Sequence, residues 1–168
     1  MLRSRVIPRN PKHGYNVTTM YDTILVSTDG SELSKKAVRE ADKLAHRLGS
    51  KLVLFYVVAN RRLPPITEGF SSPDRPAERE RAKKEMEAEG QAVIADAAKS
   101  VTMTKDTLEQ HFVIGDSPYE AIIEAARKSN CSLIVMASHG RRGLSGVILG
   151  SETQKVLTHS KIPVLVVR

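Results

Sequence analysis

The 168 residues include no tryptophan, three phenylalanines, four tyrosines and a single cysteine, Cys131. So few rings leave little for nucleobases to stack on, which argues against a nucleic-acid partner despite a net charge of +7. The charge is also poorly placed for that role. Arg3, Arg5, Arg9 and Lys12 supply +4 of it within residues 1–20, a stretch with no acid. One cysteine cannot form an internal disulfide, so a reducing, cytoplasmic setting is expected. No run approaches the ~20 apolar residues of a membrane span, and no apolar core follows the N-terminal arginines as it would in a secretory signal. The five histidines are scattered without His-x-x-x-His or Cys/His spacing, so no metal site is expected.

What is present is an alternation of apolar runs and helical patterns. Residues 1–20 read as a flexible basic arm, and 21–168 as one domain. Thr23 to Thr28 and Lys51 to Val58 are near-continuous apolar runs, suited to strands buried on both faces. Between them a helix is expected to about Leu48, capped by Asp29 or Ser31 and stopped by Gly49, with Leu33, Ala37, Ala41, Leu44 and Leu48 facing inward. Residues 59–75 have loop composition. From Ala77 to about Lys99 a helix is expected, polar over Glu78–Glu89 and packed through Ala92, Val93, Ile94, Ala95 and Ala98. Thr107 to Ile114 reads as an edge strand. Ser117-Pro-Tyr-Glu120 has the form of a capping box opening a helix to about Lys128, packed by Ala121, Ile122, Ala125 and Ala126. Ser132–Ala137 is a fourth strand, Ser151 opens a last helix to about His159, and residues 163–167 form a fifth strand. Five strands alternating with four helices imply an α/β fold, a doubly wound parallel sheet in a three-layer sandwich.

The most informative stretch runs from Leu133 to Lys155. It is an apolar strand, a glycine-rich loop and a helix beginning at Gly150-Ser151, an arrangement that aims backbone N–H groups at an anion. The dinucleotide fingerprint Gly-x-Gly-x-x-Gly is absent, and so is the Gly-x-x-x-x-Gly-Lys-Ser/Thr loop. Gly140-Arg-Arg-Gly143 has the letters of a KH clamp without a KH sheet around it. Ser138 and His139 are adjacent, with no third group to make a hydrolytic triad. No catalytic residue is assigned.

What remains is Gly140, nine residues, then Gly150-Ser151. With Thr28-Asp29-Gly30-Ser31 after the first strand, Gly115-Asp-Ser-Pro118, and the segment from His159 to Val167, this resembles the ATP-binding type of the universal stress protein family. The resemblance covers 21–168 and implies a Rossmann-like sandwich of the adenine nucleotide alpha hydrolase kind, with strand order 3-2-1-4-5. One position departs: Ala137 stands where the family's first glycine belongs, and a methyl there is costly only at positive φ or against a bound ligand.

Carried over by position, the resemblance implies a site for ATP, with any Mg²⁺ held through the phosphates. Thr28 and Asp29 would meet the adenine and ribose, and Val57 would offer backbone hydrogen bonds to the adenine edge. Met136 and Ala137 would line the nucleoside pocket. Gly140, Gly150 and Ser151 would meet the phosphates, and Gly143, Glu152 and Thr153 complete the candidate set. Arg141 and Arg142 join on charge alone. Asp29 as a helix cap and Ser151-Glu-Thr-Gln154 as a capping box are the structural alternatives. The implied function is a nucleotide-dependent stress-response regulator, a homodimer through residues 163–167. Its alternatives are an interaction or chaperone-like module that binds no nucleotide, and a slow ATP hydrolase.

Overall fold

A computed structural model describes residues 20–60, 75–140 and 149–168. The basic arm up to residue 19, most of the 59–75 loop, and Arg141, Arg142 and Gly143 lie outside the described residues. Those that are described form five strands and four helices in strict alternation: β1 (Thr23–Ser27), α1 (Glu32–Leu48), β2 (Lys51–Ala59), α2 (Arg75–Ala98), β3 (Leu108–Gly115), α3 (Pro118–Lys128), β4 (Leu133–Ala137), α4 (Ser151–His159) and β5 (Val164–Val167). All neighbouring strands pair in parallel, in the order β3-β2-β1-β4-β5. This is the doubly wound sandwich expected from the sequence.

The period of two along each strand divides the core between the two faces of the sheet. Ile24, Val26, Leu52, Leu54, Val58, Leu133 and Val135 pack under α1 and α2. Leu25, Val53, Phe55, Ile134 and Met136 pack on the other side, under α3 and α4. β1, β2 and β4 are buried on both faces, which is why they read as unbroken apolar runs. β3 and β5 are the edges, and their mixed burial follows from that.

Helix α1 is capped by Ser31, whose hydroxyl accepts from the Ser34 N–H at 3.2 Å, and it ends at Gly49 in the left-handed region (φ 72). Asp29 instead closes a tight turn, its Oδ1 accepting from the Ser31 N–H at 3.0 Å. The buried face of α1 is rotated from expectation. Ala37, Val38, Ala41 and Ala45 are fully buried, whereas Leu33, Leu44 and Leu48 only flank the core. Small residues at the centre let the helix sit close to the sheet, and the leucines reach in from its margins.

Asp42, also buried on α1, accepts from both the N–H and the hydroxyl of Thr102, at 3.0 and 2.8 Å. It pins the connection between α2 and β3. Asp42→Ala is expected to lower unfolding free energy by about 1–3 kcal/mol, because two hydrogen bonds to a carboxylate are lost. Urea titration of the two proteins measures it, and Asp42→Asn, which can still accept from Thr102, should recover part of the loss.

Helix α2 departs most from its sequence reading. Ala92 and Ala95 face solvent, while Met86, Gly90, Ile94 and Ala97 are buried. Phe112 of β3 crosses the helix at Gly90, where a methyl group would overlap its ring. The packed segment therefore begins within the polar half, and the Tyr56 hydroxyl donates to Glu89 there at 3.0 Å. Two capping assignments also change. The Ser117 side chain makes no capping bond among the described residues, and the N-cap of α4 is Gly150 rather than Ser151.

Candidate functional site

The sheet reverses its winding at β1, which has β2 on one side and β4 on the other. The connections leaving the carboxyl ends of β1 and β4 consequently diverge and open a crevice. A cleft of about 510 Å³ occupies it. Thr28, Asp29, Val57, Met136, Ala137, Gly140, Gly150, Ser151, Glu152 and Thr153 all line it. Residues from four separate parts of the chain thus meet at one site. Arg141 and Gly143 lie outside the described residues.

On the β1 side the floor is hydroxyl-rich. The Thr28 and Ser34 hydroxyls are 3.1 Å apart, and the Gly30 N–H donates to Thr28 Oγ1 at 3.2 Å. The Asp29 carboxylate lies against Gly140, where a Cβ would come within 2.5 Å of Oδ2. A side chain at 140 would therefore displace that carboxylate.

On the β4 side, the N–H of Gly150 donates to the Ser138 carbonyl at 2.8 Å, and the buried Thr153 hydroxyl to the Ala137 carbonyl at 2.9 Å. These two bonds fasten the start of α4 to the end of β4. A Cβ at Gly150 would lie 3.1 Å from His139 Cα and 3.4 Å from the Ser138 carbonyl oxygen, both backbone atoms. Close approach, rather than an unusual φ (−60), is what calls for glycine there. Gly150 offers no side-chain cap, so helix geometry leaves the N–H groups of Ser151, Glu152 and Thr153 without intrahelical partners at the cleft wall.

The strand register places Val57 more closely than its sequence position does. Odd-numbered residues of β2 turn their backbone polar groups towards β1: Lys51 N–H donates to Asp22, and Phe55 accepts from the Thr28 N–H at 2.9 Å. The β1–β2 pairing ends at Ser27 opposite Phe55. The N–H and C=O of Val57, two residues further along, therefore point past the end of β1 into the cleft.

Ala59, Gly115, Asp116, Pro118, Ile122 and His139 also line the cleft and were not among the candidate site residues, although Gly115-Asp-Ser-Pro118 carried part of the resemblance. The apolar members come from α3 and the β2–β3 ends, and the parallel pairing of β2 with β3 sets Gly115 beside Ala59 at the carboxyl end of the sheet. The Tyr119 hydroxyl donates to Glu120 at 2.8 Å, which raises the Tyr119 pKa and lowers that of Glu120. Among the described residues no three His, Cys, Asp or Glu side chains are grouped to hold a metal ion.

The universal stress protein family model matches residues 20–168. The chain belongs to the universal stress protein family. A universal stress protein from Thermus aquaticus is 30% identical over 149 residues, covering 89% of this chain and all of that one. The solved structure of MJ0577, a universal stress protein of Methanocaldococcus jannaschii, superposes with a TM-score of 0.71 at 25% identity, over 88% of this chain and 96% of the other. A universal stress protein crystallised in complex with cAMP superposes with a TM-score of 0.61 at 29% identity, over 89% and 98%.

Within this family the departure at Ala137 now has a physical reading. Ala137 is the last residue of β4, paired with Val167. Among the described residues, the one non-glycine with positive φ is Asn130 (φ 49). The Ala137 methyl therefore imposes no backbone strain on this universal stress protein fold. No helix among the described residues is long and apolar enough to cross a membrane.

Proposed function

We propose that this universal stress protein binds an adenine nucleotide, ATP in the first instance, in the β1/β4 cleft and acts as a nucleotide-dependent regulator. The observation that carries the reading is that the N-terminus of α4, which has no side-chain cap, lines the same cleft as Asp29, Gly140 and the apolar residues Val57, Ile122 and Met136. The donor set fits the ligand. Free N–H groups suit phosphate oxygens, a carboxylate suits the hydroxyls of a ribose, and the inward-facing N–H and C=O of Val57 suit a purine edge that both accepts and donates. Thr28 would support Asp29 from beneath. Met136 and Ala137 would pack against the nucleoside, and the Ser151 hydroxyl would add a donor at the phosphates. Glu152 and Thr153 have their side chains engaged elsewhere, so what they offer the phosphates is their backbone N–H. When bound, ATP would supply a triphosphate whose own oxygens hold Mg²⁺. That a similar universal stress protein was crystallised in complex with cAMP supports a nucleotide as the class of ligand.

The test is to denature freshly purified protein, identify any released nucleotide by mass spectrometry, and record melts with and without Mg-ATP. Saturation at ~100 times Kd is expected to add about 2.7 kcal/mol, or about 5–10 °C in Tm for a domain of this size. The absence of both released nucleotide and a Tm shift would overturn the reading. The same proposal includes a symmetric dimer through the edge of β5, where Leu165 is 41% exposed on an apolar strand.

A further inference from the structure

Glu152 is the second residue of α4, and an acid there ordinarily favours its own helix N-terminus. Here its carboxylate turns away. Oε2 accepts from the N–H of Tyr119 at 2.9 Å, and Oε1 accepts from Lys155 Nζ at 2.9 Å, which raises the Lys155 pKa. Tyr119 is the second residue of α3. Its N–H has no intrahelical partner, Pro118 before it has no N–H, and the Ser117 side chain makes no cap among the described residues. Glu152 thus caps a helix other than its own. The Lys155 ammonium also lies 5.3 Å from the Tyr119 ring centroid, and that ring lies 5.2 Å from His159, so α3 and α4 are joined again one turn along.

Both helix starts line the cleft: Pro118 and Ile122 from α3, Ser151 to Thr153 from α4. We propose that Glu152 is a positioning residue for nucleotide binding, which fixes the phosphate-facing start of α4 against the α3 wall through the Tyr119 N–H and keeps its own negative charge out of the phosphate site. The proposal rests on the nucleotide reading above. A carboxylate held by both Tyr119 and Lys155 does not turn back onto the N–H groups of its own helix, where it would repel phosphate.

The charge part and the tether part separate by substitution. Glu152→Gln keeps an acceptor for Tyr119 and removes the charge, whereas Glu152→Ala removes both. Calorimetry with ATP and with adenosine reads binding, and hydrogen exchange at the Tyr119 amide reads the tether with no ligand present. Glu152→Ala is expected to speed Tyr119 exchange and weaken ATP binding about tenfold, with adenosine affected less. Glu152→Gln should restore Tyr119 protection and bind ATP at least as tightly as the parent protein. Unchanged Tyr119 exchange in Glu152→Ala would overturn the tether. ATP affinity within twofold of the parent in Glu152→Ala, or Glu152→Gln as weak as Glu152→Ala, would overturn the positioning role. If the parent protein binds neither ATP nor adenosine, the nucleotide reading itself fails and the positioning role with it, and the exchange data still report the tether by itself.

Discussion

Met86→Ala is expected to destabilise the protein by about 2–5 kcal/mol, the range for deleting a fully buried long side chain where the surroundings collapse only in part. Met86 is completely buried although it lies among Lys83, Lys84, Glu85, Glu87 and Glu89. It is the first deeply packed residue of α2. Ahead of it and around it the helix is lined by i,i+4 ion pairs, Lys84 with Glu80, Arg81 with Glu85 and Lys83 with Glu87, all well exposed and each worth a few tenths of a kcal/mol. Those pairs sustain helicity but do not dock the helix. Docking falls to Met86, to the close approach of Phe112 at Gly90, and to Ile94 and Ala97. Ala95→Lys, on the exposed face, should stay within about 0.5 kcal/mol of the parent protein. Urea denaturation of the two variants side by side decides the matter. A loss for Met86→Ala no larger than that for Ala95→Lys would mean that α2 is not held to the sheet at this point.

Gly150→Val is expected to remove the Mg-ATP-dependent rise in Tm and to cost about 1–3 kcal/mol of stability, the usual penalty for extra carbon forced into a packed position. A Cβ at 150 already approaches His139 Cα to 3.1 Å and the Ser138 carbonyl to 3.4 Å. Neither is a flexible side-chain end, so the start of α4 must itself move outward. That movement stretches the Gly150-to-Ser138 hydrogen bond and shifts the N–H groups of Ser151 and Glu152 from their place at the cleft wall. Ala137→Gly is the matching control. Ala137 is strand backbone without positive φ, so removing its methyl should leave the ATP-dependent shift in place and restore the family's glycine at no conformational gain. A Gly150→Val protein that still gains the full shift from Mg-ATP would show that the start of α4 does not carry the phosphate contacts.

The order and type of every described element follow from local pattern. An apolar run long enough for a strand and flanked by turn residues was legible at β1, β2 and β4, because strands buried on both faces carry no polar interruption. Ser31 and Gly49 bounded α1 as capping chemistry requires. The spacing of Gly140, Gly150 and Ser151 marked the loop, and the structure brings those residues together with Thr28, Asp29 and Val57 around one cleft.

Other features were decided only by tertiary structure. Asp42 reads as an ordinary helix-surface acid until its partner Thr102 arrives from 60 positions away. Ser117-Pro-Tyr-Glu120 has the letters of a capping box, yet the cap on Tyr119 comes from Glu152, 33 residues distant, on a different helix. Ala92 and Ala95 resemble core positions, and Met86 and Gly90 take that place because Phe112 of the edge strand meets α2 there. The division has a physical basis. Periodicity and capping act between residues three or four positions apart, so a sequence displays them directly. Which face of a helix finds the sheet, and which carboxylate reaches an unpaired N–H, depends on surfaces that meet only once the strands have set their order.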